Sequence, residues 1–314
     1  MPLDPVLKSF LDQMAAAPGP KMWDMSPTDA RQAFVALLQL AGPKDVPIGK
    51  TENVSVPGPQ GGIPVRLYSP VAAGSEALPV LIYYHGGGFV IGDLDTHDGL
   101  CRLFANEAGC RVIAVHYGLA PERKFPSAVD DAFAALTWVE SSATRLGIDA
   151  NRIAVAGDSA GGALAAVVAQ MAKQNGSPKL VMQMLLFPVT QIGGDTSSLR
   201  EFAVGYFLEK KTLDWFFGHY LTPDADTSDP RISPLRAKDV SNLPQAYFML
   251  GGYDPLHDEG LQYAEKLRAA GVPVTVADYG DMVHCFIYLQ TILPQAREAV
   301  DAAARALRAA FAKG

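Results

Sequence analysis

The chain has 314 residues, and its 33 acidic and 26 basic side chains give it a formal net charge of −7 at pH 7. Hydrophobic residues make up 49% of the sequence and charged residues 19%, a composition that excludes a disordered chain. The acidic balance argues against nucleic acid as a partner, and no apolar stretch reaches the roughly 20 residues of a membrane span. We therefore expect a globular protein with no nucleic acid partner and no stable membrane association.

The N-terminus and the cysteines indicate where the protein works. The first residues, MPLDPVLKSFLDQM, contain no basic region followed by an apolar core, so no signal peptide is expected. Cys101, Cys110 and Cys285 are an odd number in a long chain and do not form a disulfide framework. No spacing of Cys or His matches a metal site. The sequence predicts a protein of the reducing cytoplasm with no metal and no cofactor.

The predicted elements begin with two helices, over 3–17 and 26–41, and Ser26 is the expected N-cap of the second. Strands are predicted over 53–56, 63–68, 80–84, 110–116, 153–156, 180–187, 245–250 and 272–277, and later helices over 127–145, 163–171, 258–270 and 295–312. From residue 80 onwards strands alternate with helices, which predicts βαβ crossovers and a mainly parallel sheet.

The stretch from about 190 to 240 interrupts this alternation. It contains loops rich in Thr, Ser and Gly, one predicted helix within YFLEKKTLDWFFGHYL, and a Pro-containing end, DADTSDPRISPL. An insert of this length after a strand is typical of a lid or a specificity subdomain.

The segment GDSAGG at 157–162 contains the pattern G-x-S-x-G. A short buried strand precedes it and a helix of small residues follows, as the pattern requires. Such a turn exposes Ser159 at its apex, and glycines two positions before and after it remove Cβ atoms that would clash. The adjacent helix N-terminus favours negative charge. Ser159 is the candidate nucleophile; the alternative is a glycine-rich turn with a bystander serine.

A serine hydroxyl needs a neighbouring base, normally a histidine oriented by a carboxylate. Active groups in parallel sheets lie beyond the carboxyl ends of the strands. His284 follows strand 272–277 across the loop DYGDMV, and His257 follows strand 245–250. We assign the base to His284, with His257 as the rival. The alternative for His284 is a structural role, as a hydrogen-bonded histidine of its loop. The other histidines have weaker claims: His85 in a glycine loop, His116 at a strand end, and His97 and His219 without strand-end context.

Asp254 is the candidate carboxylate because it lies just past the end of strand 245–250. Acidic residues in the first turn of the next helix are expected to cap its N–H groups, and others belong to the histidine's own loop. These rivals are Asp258, Glu259, Asp278 and Asp281. The resulting chain order of serine, aspartate and histidine is that of α/β-hydrolases.

Acyl transfer also passes through an oxyanion, which needs two or three N–H donors. His85 and three glycines follow strand 80–84, where lipases and esterases carry their HGGG-type loop. Consecutive glycines let the backbone approach a substrate closely. The expected donors are the N–H groups of Gly87, Gly88 and Ala160, and a flexible glycine turn is the alternative.

Five segments, YYHGGGF, HYGLAPERKFPSAVDD, GDSAGG, DPLHDEG and MVHCF, together resemble the bacterial hormone-sensitive-lipase-like esterases, esterase family IV of the α/β-hydrolase superfamily. The similarity extends over almost the whole chain from about residue 50, and the N-terminal helix pair is similar to that family's cap. The resemblance implies an α/β-hydrolase fold: a mainly parallel eight-stranded sheet flanked by helices, with a helical cap. The cap would comprise 1–48 and 190–235, and the core 49–189 and 236–314.

The resemblance also carries expectations about function. It supports Ser159, Asp254 and His284 as the triad, and the N–H groups of Gly87, Gly88 and Ala160 as donors. It implies hydrolysis of small-molecule esters with short to medium acyl chains. It further implies a possible homodimer formed through the last strand, 272–277.

Two positions depart from the pattern of these esterases. Gly118 stands where they usually have Arg, which removes a cation that could pair with Asp158 or Glu122. Cys285 stands where they usually have Gly after the catalytic histidine, and its thiol is expected to narrow the pocket. Neither change removes a catalytic group.

The favoured function is therefore a cofactor-free serine carboxylesterase that works through an acyl-enzyme. Aromatic residues of the predicted cap are candidates for the pocket wall or for ordinary packing: Trp23, Phe34, Phe202, Tyr206, Phe207 and Trp215. An amidase or deacetylase would use the same groups and is one alternative. A non-catalytic small-molecule receptor on the same fold is another, although the presence of His284 speaks against it.

Overall fold

The computed structural model describes residues 1–17 and 19–313 and contains one sheet of eight strands. The strands are β1 (Lys50–Gly58), β2 (Gly61–Ser69), β3 (Leu78–Tyr84), β4 (Arg111–Val115), β5 (Ile148–Asp158), β6 (Leu180–Leu186), β7 (Gln245–Tyr253) and β8 (Val274–Val283). Their spatial order is β1-β2-β4-β3-β5-β6-β7-β8; β2 is antiparallel to both neighbours, and the other pairs are parallel. The predicted α/β-hydrolase fold is confirmed.

Ten α-helices lie within the described residues. They are α1 (Pro5–Ala16), α2 (Pro27–Ala41), α3 (Asp98–Ala108), α4 (Ser127–Ser141), α5 (Ala143–Leu146), α6 (Ala160–Asn175), α7 (Ser197–Glu201), α8 (Lys210–Tyr220), α9 (His257–Ala269) and α10 (Pro294–Phe311). The predicted N-cap is present, because the Ser26 hydroxyl oxygen accepts the N–H of Asp29 at 3.2 Å. Position 18 of the predicted segment 1–48 and position 314 of the segment 236–314 lie outside the described residues.

The central strands of the sheet are buried on both faces, whereas β1 at one edge is mostly exposed. Along β3, Val80, Ile82 and Tyr84 belong to one apolar cluster, which includes residues of α4, α6 and α9. The alternate residues Leu81 and Tyr83 belong to a second cluster, which includes residues of α3 and α10. Side chains of a strand point alternately to its two faces, so a continuous apolar run is required when helices cover both.

The carboxyl ends of the parallel strands meet at one edge of the sheet. Tyr84 pairs with Gly157, Asp158 pairs with Leu186, and Tyr253 pairs with Val283. Because these are the last residues, or nearly so, of their strands, the segments that follow emerge side by side. This edge is where α/β sheets bind ligands.

The last strand is longer than predicted. The residues 278–283, which the sequence assigns to a loop, continue β8 and pair with the end of β7. Gly280, in the predicted loop, lies where β7 and β8 approach closely. A Cβ on Gly252 of β7 would lie 2.5 Å from the carbonyl oxygen of Gly280. His284 therefore follows a strand end directly rather than across a loop.

Two further differences concern helices. The helix predicted over 127–145 ends at Ser141, and a separate short helix, α5, follows. A crossover helix, α3, precedes β4 and begins just after His97, a residue that had no structural context in the sequence. Across residues 1–17 and 19–313, no helix combines the length and apolar character needed to cross a membrane.

Candidate active site

Ser159 sits at a sharp turn between β5 and α6. Its backbone has φ 53° and ψ −117°, a conformation that residues with a side chain rarely adopt. Both neighbouring glycines are needed for this turn. A Cβ on Gly157 would lie 2.2 Å from the carbonyl oxygen of Gly161, and one on Gly161 would lie 1.9 Å from that of Tyr84. The side chain of Ser159 lies at the N-terminus of α6 as expected, but it is buried, at 7% exposure, rather than exposed at the apex of the turn.

Asp254 and His284 lie beside this serine. The Nε2 atom of His284 is 3.0 Å from the Ser159 Oγ, and its Nδ1 is 2.6 Å from the Oδ2 of Asp254. The other carboxylate oxygen of Asp254 accepts the backbone N–H of Leu256 at 2.8 Å. A carboxylate can only accept, so Nδ1 carries the proton and Nε2 is left to accept the serine hydroxyl.

The rival base and carboxylates have other partners. His257 lies with Nε2 3.2 Å from both carboxylate oxygens of Asp278, and this carboxylate raises the pKa of His257. Asp258 accepts the N–H of Ser198 at 2.9 Å. Glu259 accepts the N–H groups of two residues that follow β6, at 2.6 and 3.1 Å. Within the described part of the chain, the cavity that contains Ser159 is not lined by His257, Asp258, Glu259 or Asp278.

The expected oxyanion donors come from two segments: the loop before Val90 and the residue that follows Ser159. We call residues 85–91 the glycine loop; its Gly87 and Gly88 line the same cavity as Ser159 and His284. Within the residues described, the N–H groups of these two glycines donate to no protein acceptor. Ala160 is the first residue of α6, where N–H groups have no partner in the helix. The site thus combines three backbone donors with a hydroxyl and an imidazole.

A buried carboxylate links the serine turn to the glycine loop. The Oδ1 of Asp158 accepts the hydroxyl of Tyr83 at 2.7 Å and the N–H of Gly86 at 2.9 Å, and the Nε2 of His97 is 3.4 Å away. Burial acts to raise the pKa of Asp158, but His97 and the hydrogen bonds outweigh it and hold the pKa below its usual value. The sequence alone did not identify His97 and Tyr83 as partners of Asp158. The available signal for His97 was its place just before α3, the crossover helix that follows strand 80–84.

A cavity of about 420 Å³ opens above Ser159. Its walls are mostly apolar and come from α1, the segment before α2, α2 itself and the 190–235 insert. Of the six aromatic candidates, Trp23, Phe34 and Phe207 line it. The other three do not: Phe202 and Tyr206 pack against Tyr253, and Trp215 packs edge-on against Phe216 and His219. Phe216, which the sequence did not single out, also lines the cavity.

Gly118 does not leave the expected gap in charge. The guanidinium of Arg123 occupies the space beside it, 2.6 Å from where a Cβ on Gly118 would lie. That guanidinium pairs with the buried Asp131 at 2.8 Å. Glu122 has its own cation, because Arg31 lies 2.7 Å from its carboxylate. Glu122 therefore has Arg31 as its partner, and Asp158 has Tyr83 and His97, so neither carboxylate lacks a partner.

Cys285 lines the cavity beside His284. Its backbone has φ 60° and ψ 18°, which is the left-handed region that glycine adopts without strain. The need for this conformation explains a preference for glycine at the position. Within the described residues, no group of three or more His, Cys, Asp or Glu side chains is arranged to hold a metal ion.

Comparisons with known proteins agree with this geometry. A family model described as alpha/beta hydrolase fold matches residues 81–288. The carboxylic ester hydrolase LipN of Mycobacterium tuberculosis is 46% identical over 243 residues, which are 76% of this chain and 64% of LipN, less than two thirds of its length. The ethyl acetate hydrolase of Pseudomonas putida is 43% identical over 252 residues, 78% of each chain.

A solved structure extends the similarity to the full length. The ester hydrolase EH1AB1 from the metagenome of Lake Arreo, in complex with a bipyridine phosphonate derivative, superposes with a TM-score of 0.96. It is 40% identical, and the match covers 99% of both chains. This chain belongs to the alpha/beta hydrolase family and, within it, to the hormone-sensitive-lipase-like carboxylic ester hydrolases.

Proposed function

We propose that Ser159, His284 and Asp254 form a catalytic triad that hydrolyses carboxylic esters through an acyl-enzyme. The observation that carries the proposal is the continuous contact from hydroxyl to imidazole to carboxylate, at 3.0 and 2.6 Å. These are hydrogen-bond distances, and they connect a nucleophile, a base and an orienting group in the required order.

The proposed reaction has two halves. The Ser159 oxygen attacks the ester carbonyl while its proton passes to Nε2 of His284, and the negative charge develops on the former carbonyl oxygen. The N–H groups of Gly87, Gly88 and Ala160 stabilise that oxyanion. His284 then gives its proton to the leaving alcohol, and the acyl group remains on Ser159. In the second half, His284 deprotonates a water molecule, which attacks the acyl-enzyme. His284 then returns this proton to the Ser159 oxygen as the acid is released.

The substrate that we propose is an ester of a short or medium acyl chain. The support is the mostly apolar cavity of about 420 Å³, which offers few partners to a charged group. The similarity to an ethyl acetate hydrolase favours the same size range. Turnover of p-nitrophenyl esters of increasing chain length should peak at short or medium length, and anilides should be hydrolysed much more slowly. Faster anilide hydrolysis would favour the amidase instead.

The test of the triad is covalent labelling combined with matched variants. A p-nitrophenyl phosphonate should inactivate the enzyme by modifying Ser159. Mass spectrometry of the labelled peptide would identify the modified residue. Ser159→Ala and His284→Ala should each lower kcat/KM by about 10⁴-fold or more. His257→Ala is the matched control, because it removes the rival histidine, and it should keep wild-type kcat/KM. Loss of activity in that control with a fully active His284→Ala would overturn the assignment.

We also propose that segments 1–48 and 190–235 act together as a cap over the core segments 49–189 and 236–314. The support is that residues of both segments line the cavity above Ser159. Exchanging Phe34 or Phe207 for Ala should therefore change the preferred acyl length. An unchanged chain-length profile in both variants would contradict the proposal.

A homodimer through β8 is a further part of the proposal. β8 is the last strand of the sheet and pairs on one side with β7. The N-terminal segment occupies part of its free side, where the N–H of Asp4 donates to the carbonyl of Asp281 at 3.0 Å. A two-fold contact through 274–280 would bring identical residues together. Sedimentation should give a dimer that Thr275→Glu dissociates, and a wild-type monomer would refute it.

A cytoplasmic location is proposed as well. Its support is that Cys101, Cys110 and Cys285 are all free thiols, as expected where the surroundings are reducing. Cell fractionation with antibody detection would test it, and recovery of the protein outside the cytoplasm would contradict it.

A further inference from the structure

The glycine loop combines an unusual backbone conformation with two internal hydrogen bonds, from the N–H groups of Val90 and Ile91 to the carbonyl of Gly87 at 3.0 and 2.9 Å. Three consecutive residues have positive φ: Gly87 at 113°, Gly88 at 59° and Phe89 at 64°. Glycine adopts such angles freely, but a residue with a Cβ does so only when its surroundings hold it there. The direction of the Gly87 and Gly88 N–H groups depends on these angles. Phe89 follows the two proposed donors directly, so a contact that holds Phe89 in place also limits how far the donors can move.

Backbone hydrogen bonds anchor the ends of this loop. The N–H of Gly86 donates to Asp158, and the carbonyl of Phe89 accepts the N–H of Ala120 at 2.9 Å. The carbonyl of Val90 accepts the guanidinium of Arg31 at 2.8 Å. These bonds hold the two flanks, and they do not contact the side of Gly88 that faces the cavity.

Two aromatic rings of α8 contact the loop at Gly88 and Phe89. The ring of Tyr220 stacks on the ring of Phe89, with centroids 3.9 Å apart and planes 9° apart. Both side chains are buried. The ring of Phe216 presses on Gly88, where an added Cβ would lie 2.1 Å from a ring carbon. One helix of the 190–235 insert thus contacts two successive residues of the glycine loop.

The helix that carries these rings is itself attached to the core. The ammonium of Lys124 donates to the carbonyls of Gly218, His219 and Leu221 at 3.3, 2.6 and 3.0 Å. A cation at a helix C-terminus satisfies the last carbonyls and stabilises the helix dipole. The N–H of Phe125 also donates to the carbonyl of Tyr220 at 3.0 Å. The C-terminal turn of α8 is therefore fixed to the segment after β4.

We propose that Phe216 and Tyr220 are positioning residues for the oxyanion hole: they hold Gly88 and Phe89 so that the donors point at the developing negative charge. This inference rests on the proposed function. It gives α8 a role in the rate of the chemical step, in addition to any role of the insert in selecting the substrate. The role differs from substrate contact because Tyr220 does not line the cavity in the described part of the chain.

Tyr220 provides the sharper test for that reason. Tyr220→Leu removes the stacked ring, whereas Tyr220→Phe keeps it and serves as the conservative control. Leu213→Ala controls for loss of stability, since Leu213 is a buried residue of the same helix that does not line the cavity. All four proteins are compared after active-site titration with the phosphonate, so that misfolded enzyme does not count.

Two readouts separate positioning from a structural role. The first is kcat and KM per titrated site. The second is the affinity for a trifluoromethyl ketone. The Ser159 oxygen adds to the ketone carbonyl, the serine proton passes to His284, and the former carbonyl oxygen becomes an oxyanion. In Tyr220→Leu we expect kcat and the ketone affinity to fall together by about tenfold, since loss of a whole donor costs 10²–10³. KM should stay within about twofold. Tyr220→Phe and Leu213→Ala should match the wild type.

Wild-type kcat per site in Tyr220→Leu would overturn the inference, as would an equal loss in Leu213→Ala. If Tyr220→Leu does not fold, Phe216→Leu takes its place, and the parallel fall of kcat and ketone affinity is the criterion. A failure of the proposed function is distinguishable, because it leaves the wild type without a phosphonate label on Ser159. A failure of the present inference leaves a labelled and fully active variant.

Discussion

The hydroxyl of Tyr220 has no hydrogen-bond partner among the described residues, although its ring is buried to 1% exposure. Burial also raises the pKa of this hydroxyl. A buried donor without a partner costs about 1–3 kcal/mol, because it gives up its bonds to water. Tyr220→Phe removes the hydroxyl and keeps the stacking on Phe89. The substitution should therefore raise the free energy of unfolding by about 1 kcal/mol or more.

The same substitution at Tyr84 is the matched comparison. Tyr84 is fully buried, and its hydroxyl donates to the carbonyl of Ala132 at 3.0 Å. Tyr84→Phe loses that bond and should lower the free energy of unfolding by about 1 kcal/mol. The two variants should then differ by about 2 kcal/mol in urea denaturation, with opposite signs relative to the wild type. Equal destabilisation by both would refute the reasoning, because it would mean that the Tyr220 hydroxyl has a partner.

Three further predictions concern strain and charge. Ser159→Gly should be more stable than Ser159→Ala by about 1 kcal/mol in urea denaturation, because glycine relieves the positive φ at the turn; equal stability would argue against strain there. Cys285→Gly should likewise melt above Cys285→Ala, and it should accept bulkier acyl groups. Burial raises the pKa of Glu259 from 4.5 to about 8, so the folded state keeps a proton that the unfolded chain releases. The stability that this group contributes should therefore be complete below about pH 4.5 and should be lost as the pH rises through 8. Glu259→Gln should flatten this pH dependence in melting curves recorded from pH 5 to 9.

The three residues of the proposed triad could be located in the sequence because each signal is local. The elbow around Ser159 is a strand, a turn that demands glycine, and a helix, and these follow one another in the sequence. Asp254 and His284 were placed by the rule that active groups follow strand ends, which holds whatever the partner strands are. The structure places His284 directly after a strand end, as that rule expects, although the strand before it was predicted to end six residues earlier than it does.

The remaining features depend on residues that are distant in sequence. Residues 278–283 form a strand because they pair with the end of β7, and this pairing overrides the local signal of a glycine and two acidic residues. His97 acquires its role only when α3 brings it against Gly86 and Asp158. The contact between Tyr220 and Phe89 joins positions 131 residues apart, and nothing in either segment alone indicates it.

Lys124 binds the C-terminal end of α8 and makes no such contact with residues 190–209. We therefore expect these two parts of the 190–235 insert to differ in how well they tolerate redesign. Chimeras that exchange residues 190–209 between related esterases should alter which acyl groups fit and leave the turnover machinery intact. Chimeras that also exchange 210–221 would import a foreign helix end and foreign rings, and they would need the donor esterase's residues at positions 89 and 124 to be transplanted with them. A recombination point between Glu209 and Lys210 is therefore the natural boundary for engineering this enzyme.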